Sequence, residues 1–268
     1  MADGIRYERY VALGDSQTEG VGDGDDVTGL RGWADRLAER VAVTGPGLGY
    51  ANLAVRGRTA AQVRAEQLPA ALECGPDLAT VVAGMNDLIR PAFDADEVAG
   101  HLEAMFAALT ASGARVATVT YPDISAIAPL ARPLAPRGTA LNTRIRAAAH
   151  RHGVLVAETE GLPALTDPRL WCADRLHAGP LGHQRIADAF AHALALPGAD
   201  ASWAEPLPDL PAPHRLRAVA TELRWIATFL GPWIGRRLRG RSSGDRRTAK
   251  RPHLLPVEQS GQPLPGSW

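Results

Sequence analysis

The chain has 268 residues, 46% of them hydrophobic, enough to bury the core of one large domain or two small ones. Twenty-nine basic residues balance twenty-nine acidic ones, so no global field draws the molecule to nucleic acid. Cys74 and Cys172 are too few for a disulfide framework and have no metal-ligand spacing, which points to a reducing compartment and against a zinc site.

In chain order, no apolar leader precedes the first strand-like run, and no stretch reaches the roughly 18 apolar residues of a membrane span. A soluble, cytoplasmic protein is expected. RYVALG, YANLA, LATVVAG, ARVATVTYP and VLVAE read as strands. Between them, WADRLAERVAV, AAQVRAEQLPAALE, DADEVAGHLEAMFAALTA and TALNTRIRAAAHRHG carry apolar residues at three- and four-residue spacing, the mark of helices packed on one face. Strands this apolar are buried on both sides, so the alternation predicts a parallel sheet of about five strands covered by helices, a doubly wound α/β domain. A last helix within GPLGHQRIADAFAHALAL closes this domain at residue 196. Residues 197–213 then read as a proline-rich linker and 214–240 as an amphipathic helix with Leu216, Val219, Leu223, Ile226 and Leu230 in its stripe. The basic, proline-rich tail 241–268 is expected to be disordered.

Ligands of an open parallel sheet bind beyond the carboxyl ends of its strands. Four short motifs fall there. Ser16 follows the first strand, Gly57 follows the second, Asn86 and Asp87 follow the third, and Asp174 and His177 precede the last helix. A serine hydroxyl needs a base, for which His177 is the candidate, and the imidazole needs an acceptor, for which Asp174 is the candidate. The N–H groups of Ser16 and Gly57 and the side-chain amide of Asn86 are candidate donors to an oxyanion. Asp15 and Asp87 are read as supports that accept backbone N–H bonds. Taken singly, each motif has an ordinary reading: Gly-Asp-Ser is a common turn, Asn-Asp a helix cap, and an Asp–His pair a surface hydrogen bond.

Together and in this order, GDS (14–16), the glycine of VRGRT (57), GMND (84–87) and DRLH (174–177) resemble the SGNH/GDSL hydrolase family over about residues 8–195. The resemblance implies a flavodoxin-like three-layer α/β/α sandwich and hydrolysis of an ester or thioester through an acyl-serine intermediate. It implies catalytic roles for Ser16, His177 and Asp174, and an oxyanion hole of Ser16, Gly57 and Asn86. No cofactor or metal is implied. The partner would be a small-molecule or lipid ester. Acyl transfer to an acceptor other than water, and an idle triad on a binding or membrane-associated module, are the alternatives. Gln17 departs from the apolar residue that many members carry beside the nucleophile. Trp33 and Pro122 also fit the family's surroundings and are given structural roles.

Other features have plainer readings. His183 is expected to pack or cap near the last helix, His150 and His152 to be solvated, and GDGDD (22–26) to be a mobile acidic loop. Arg56, Arg58 and Arg90 lie near the oxyanion donors and weakly favour an anionic substrate. The apolar loop 122–138 would line an acyl site or cover the sheet edge. The basic residues from Arg236 to Arg251 give the C-terminal helix an alternative role, reversible contact with an anionic membrane.

Overall fold

Tyr10, Val11, Ala12 and Leu13 are all buried, so RYVALG has no solvent face, and it becomes the interior strand β1 (Arg9–Gly14). The structure, a computed structural model, describes residues 6–209, 224–231 and 243–257. From β1 the chain enters a one-turn helix, α1 (Ser16–Glu19), and a small antiparallel hairpin, β2 (Gly24–Asp25) and β3 (Gly29–Leu30). It continues through α2 (Trp33–Thr44), β4 (Gly49–Asn52), α3 (Ala60–Glu73), β5 (Leu78–Val82), the short α4 (Met85–Leu88), α5 (Ala95–Ala111) and β6 (Arg115–Val119). The last third holds α6 (Ile124–Ile127), α7 (Ala135–Arg151), β7 (Leu155–Ala157) and α8 (Pro180–Ala193), and β8 (Arg251–Pro256) lies near the end of the chain.

The main sheet has the order β7-β6-β5-β1-β4-β8. Its first five strands are parallel, as expected, and wind outward from β1 in both directions, the flavodoxin-like order. Helices α3, α5 and α7 pack in a row, while α2 and α8 pair with each other and α8 lies on β6 and β7. Trp33 of α2 stacks on Phe190 of α8 with ring centroids 4.5 Å apart and planes 12° from parallel, joining these two helices through their largest side chains.

The helix starts follow local chemistry. Thr59 and Gln62 form a capping box at α3, Asp94 accepts the N–H groups of Asp96 and Glu97 at α5, and Pro180 opens α8. Two expectations change. Residues 122–138 are not a plain loop, because α6 and a 3-10 turn (Pro129–Leu134) fill them and α7 begins at Ala135. Nor is the tail disordered from residue 241: Arg251–Pro256 adds an antiparallel sixth strand beside β4. Prolines 252 and 256 disguise it, but an edge strand tolerates proline because one side of it needs no ladder donors. Arg251 Nε donates to Tyr50 O at 2.7 Å, and Lys250 Nζ meets Asp35 Oδ2 at 2.6 Å, tying the strand to the domain. Of the helix expected over 214–240, residues 224–231 have helical backbone, π-helical over Ile226–Leu230, and the rest lies outside the described residues.

Candidate active site

The β1–α1 turn places Ser16 at the carboxyl edge of the sheet. Gly14 is held at both ends by one side chain: its N–H donates to Gln67 Oε1 and its carbonyl accepts from Gln67 Nε2, each at 2.8 Å. A Cβ at position 14 would lie 2.5 Å from Val82 O, so the strand can leave the sheet here only as glycine. Asp15 is buried and caps α1 by accepting the Gln17 N–H at 3.2 Å.

The turn before α8 brings the histidine. Ser16 Oγ lies 2.9 Å from His177 Nε2, and His177 Nδ1 lies 2.7 Å from Asp174 Oδ2. The other Asp174 oxygen accepts the N–H groups of Leu176 and His177 at 3.0 and 3.1 Å. Burial acts to raise the Asp174 pKa, but the hydrogen bond and charge of His177 and these two N–H groups hold it net below the usual value. The ionised carboxylate can only accept, so Nδ1 carries the proton and, in the neutral ring, Nε2 is left to accept from the serine hydroxyl. Arg175 has a φ of +57°, the left-handed kink that allows Asp174 and His177 to face each other within one tight turn.

Gln17 joins the two turns. Its Nε2 donates to Leu176 O at 2.8 Å and its Oε1 accepts the Ala178 N–H at 3.2 Å, so one amide clamps both sides of His177 to the residue beside Ser16. An apolar residue could not make either bond.

The candidate oxyanion donors converge on the same edge. Gly57 has a φ of +79°, a conformation that favours glycine, and it lines the cavity with Ser16, Asn86 and His177. Among the described residues, no protein group accepts the backbone N–H of Ser16 or Gly57. Asn86 Nδ2 donates to Asp15 Oδ2 at 2.9 Å and to Arg58 O at 3.1 Å, so its amide is held in place by groups that already use its hydrogens. Burial pushes the Asp15 pKa up to about 6, against the opposing pull of the Gln17 N–H, the His177 charge and the Asn86 amide. Asp87 accepts the Ala60 N–H at 2.9 Å, capping α3, and its pKa is also raised by burial.

Three other expectations are corrected or refined. Arg56 is not free to meet an anionic substrate: it is bound to Glu19 at 2.7 Å and to Asp26 at 2.9 Å, and Arg58 pairs with Glu66 at 2.8 Å. The acidic loop 22–26 is anchored by the same chemistry, Asp23 to Arg36 and Asp26 to Arg56 and Arg247. His183 sits in the first turn of α8, yet its ring caps α2, accepting the Trp33 N–H at 3.1 Å while Nε2 donates to Val21 O. Burial lowers its pKa to about 4, so it is a neutral structural histidine.

A cavity of about 570 Å³ opens onto Ser16 and His177. Its wall includes Met85, Ile89, Pro122, Ile124, Ile127 and Leu134, so the segment 122–138 does line it, and Trp225 and Phe229 join from the C-terminal segment. Helical spacing around Trp225 shows an apolar stripe but not where that stripe docks. Among the described residues no cluster of three or more His, Cys, Asp or Glu is placed to hold a metal, and no helix is long and apolar enough to cross a membrane.

Residues 12–185, well over half of the chain, match the family model described as GDSL-like lipase/acylhydrolase. The chain belongs to this family. Its members hydrolyse esters, and this acylhydrolase is an ester-hydrolysing enzyme. No curated protein sequence matches it. Among solved structures it is similar to LAE5, an α/β hydrolase enzyme from the metagenome of Lake Arreo, Spain, at 22% identity and a TM-score of 0.60, covering 73% of this chain and 99% of that one. It is similar also to a variant of an acetyl xylan esterase from Geobacillus stearothermophilus, at 18% identity and a TM-score of 0.61, covering 74% and 100%. At these identities the likeness concerns the fold. Catalytic mutants of that esterase replace a serine, an aspartate and a histidine.

Proposed function

We propose that this acylhydrolase cleaves a carboxylic ester with Ser16 as nucleophile, His177 as general base and acid, and Asp174 as the group that orients and stabilises the imidazole. The observation that carries the reading is the unbroken line from Ser16 Oγ through His177 to Asp174, with links of 2.9 and 2.7 Å. In the cycle, Ser16 Oγ attacks the carbonyl carbon as its proton passes to His177 Nε2. The imidazolium is stabilised by the ionised Asp174 and then gives the proton to the leaving oxygen. Water, deprotonated by the same nitrogen, attacks the acyl-serine and releases the acid and free Ser16.

The N–H groups of Ser16 and Gly57, which have no protein acceptor among the described residues, are the first two oxyanion donors. Asn86 is the third, and for it the carbonyl of Arg58 is the competing acceptor that the developing oxyanion displaces. Asp15 keeps the amide aimed during that exchange through its own bond to Nδ2.

The test is turnover of p-nitrophenyl acetate by the intact protein and by Ser16→Ala. Loss of a nucleophile of this kind costs about 10⁴-fold or more in kcat. Equal rates in the two proteins would remove Ser16 from the reaction.

A further inference from the structure

The C-terminal segment 224–231 lies outside the residues that match the family, yet it is built into the cavity at the candidate triad. Trp225 is buried and its Nε1–H donates to Asp174 O at 3.0 Å. The Arg175 guanidinium sits 4.9 Å from its ring centroid, a cation–π contact that fixes the indole against the turn bearing Asp174 and His177. One turn further on, Phe229 lines the same cavity. It is 39% exposed, and Leu130, which lines the cavity from the 3-10 turn after α6, is 55% exposed. Ile127, Leu165 and Ile186 continue this apolar wall from three further elements.

The charges present do not favour an anionic acyl group. Among the described residues, Asp174 and Arg175 are the only acidic or basic side chains besides His177 to line the cavity. Asp174 is taken up by His177, and Arg175 stacks on Trp225. An acetyl group would fill little of 570 Å³, a volume in the range that holds drug-sized ligands. Large apolar side chains left partly exposed along one wall gain by contact with an aliphatic chain, at about fourfold in binding per buried methylene.

We propose that this enzyme takes esters of medium- and long-chain aliphatic acids, and that Phe229 and Trp225 of the C-terminal segment form one wall of the acyl site. The proposal rests on Ser16 as nucleophile, since it is Ser16 that places the acyl carbon at the mouth of the cavity.

The experiment measures kcat/KM of the full-length protein and of Phe229→Ala on p-nitrophenyl acetate, butyrate, octanoate and decanoate. A rise of at least tenfold from acetate to octanoate is expected. Phe229→Ala should lower the octanoate-to-acetate ratio fivefold or more. Phe229 is the variant of choice because Trp225 also touches the turn that carries the triad. A flat or falling profile, or an unchanged ratio in the variant, would overturn the acyl wall. Labelling of Ser16 by a fluorophosphonate separates the two readings. If Ser16 is not labelled, the nucleophile assignment fails, and the wall is judged by binding of dansylaminoundecanoic acid. Binding weakened fivefold by Phe229→Ala supports the wall, and absent or unchanged binding overturns it.

Discussion

Gln17 is the side chain whose role depends most on what the fold brings beside it. Its amide holds Leu176 and Ala178 on either side of His177, so it helps to set the distance between His177 and Ser16. Gln17→Leu keeps the volume and loses both bonds. Small misplacements of reacting groups are costly, so kcat should fall on the order of tenfold with the fold intact by circular dichroism. Asp174→Asn keeps the shape but removes the acceptor that fixes the histidine tautomer, and a loss of about 10⁴-fold in kcat on p-nitrophenyl acetate is expected. His183 makes a separate, pH-dependent prediction. Its pKa falls from 6.5 unfolded to about 4 folded, so folding favours the neutral ring. Its contribution is complete above pH 6.5 and is lost progressively as the pH falls toward 4, by up to about 3 kcal/mol. Asp15, raised to about 6, works the opposite way, because the folded state binds its proton first as the pH falls. The difference in urea stability between wild type and His183→Gln isolates the histidine and should shrink as the pH drops from 6.5 to 4.

Helix α1 and the turn after β4 are joined by an ion pair that the motif pattern does not announce. Glu19 and Arg56 have side chains only 7% and 13% exposed, and Glu19 also accepts the Arg56 N–H at 2.7 Å. The pair therefore holds the element carrying Ser16 against the turn that presents Gly57. Removing the cation leaves a buried carboxylate whose one remaining partner among the described residues is the backbone N–H. Arg56→Met should cost about 3 kcal/mol, read as a lower urea midpoint with an unchanged slope. The charge pattern had suggested Arg56 for substrate binding, and burial beside an acid decides otherwise.

Over the whole molecule, two of the described segments beyond α8 shape the domain. Residues 224–231 wall the cavity, and residues 243–257 close the open edge of the sheet at β4. Arg247 with Asp26, Lys250 with Asp35, and the β4–β8 ladder anchor this second part. A chain ending at residue 242 should remain folded but melt several degrees lower, since a loss of about 1 kcal/mol shifts a domain of this size by roughly 2–4 °C. It should also associate more readily, because β4 then becomes an unprotected edge, and light scattering on heating would show it. An unchanged melting temperature would mean that β8 adds nothing to stability.

The five parallel strands and their helices were legible because largely apolar runs such as RYVALG and LATVVAG have only one way to hide both faces. Ser16, Gly57, Asn86, Asp174 and His177 were legible because each falls at a turn on the carboxyl edge, where topology alone brings distant motifs together. β8 was hidden by its prolines and charges, which an edge strand accepts when a neighbouring strand is available to pair with it. The sequence by itself determined the sheet, the family motifs and the chemistry those side chains offer, because these rest on local pattern and on residue type. Only the tertiary structure decided that Gln17 clamps the histidine turn, that Arg56 is spent on Glu19, and that Trp225 and Phe229 reach the cavity. Each of those is a contact between residues far apart in the chain, and periodicity along one segment carries no information about which distant surface that segment will meet.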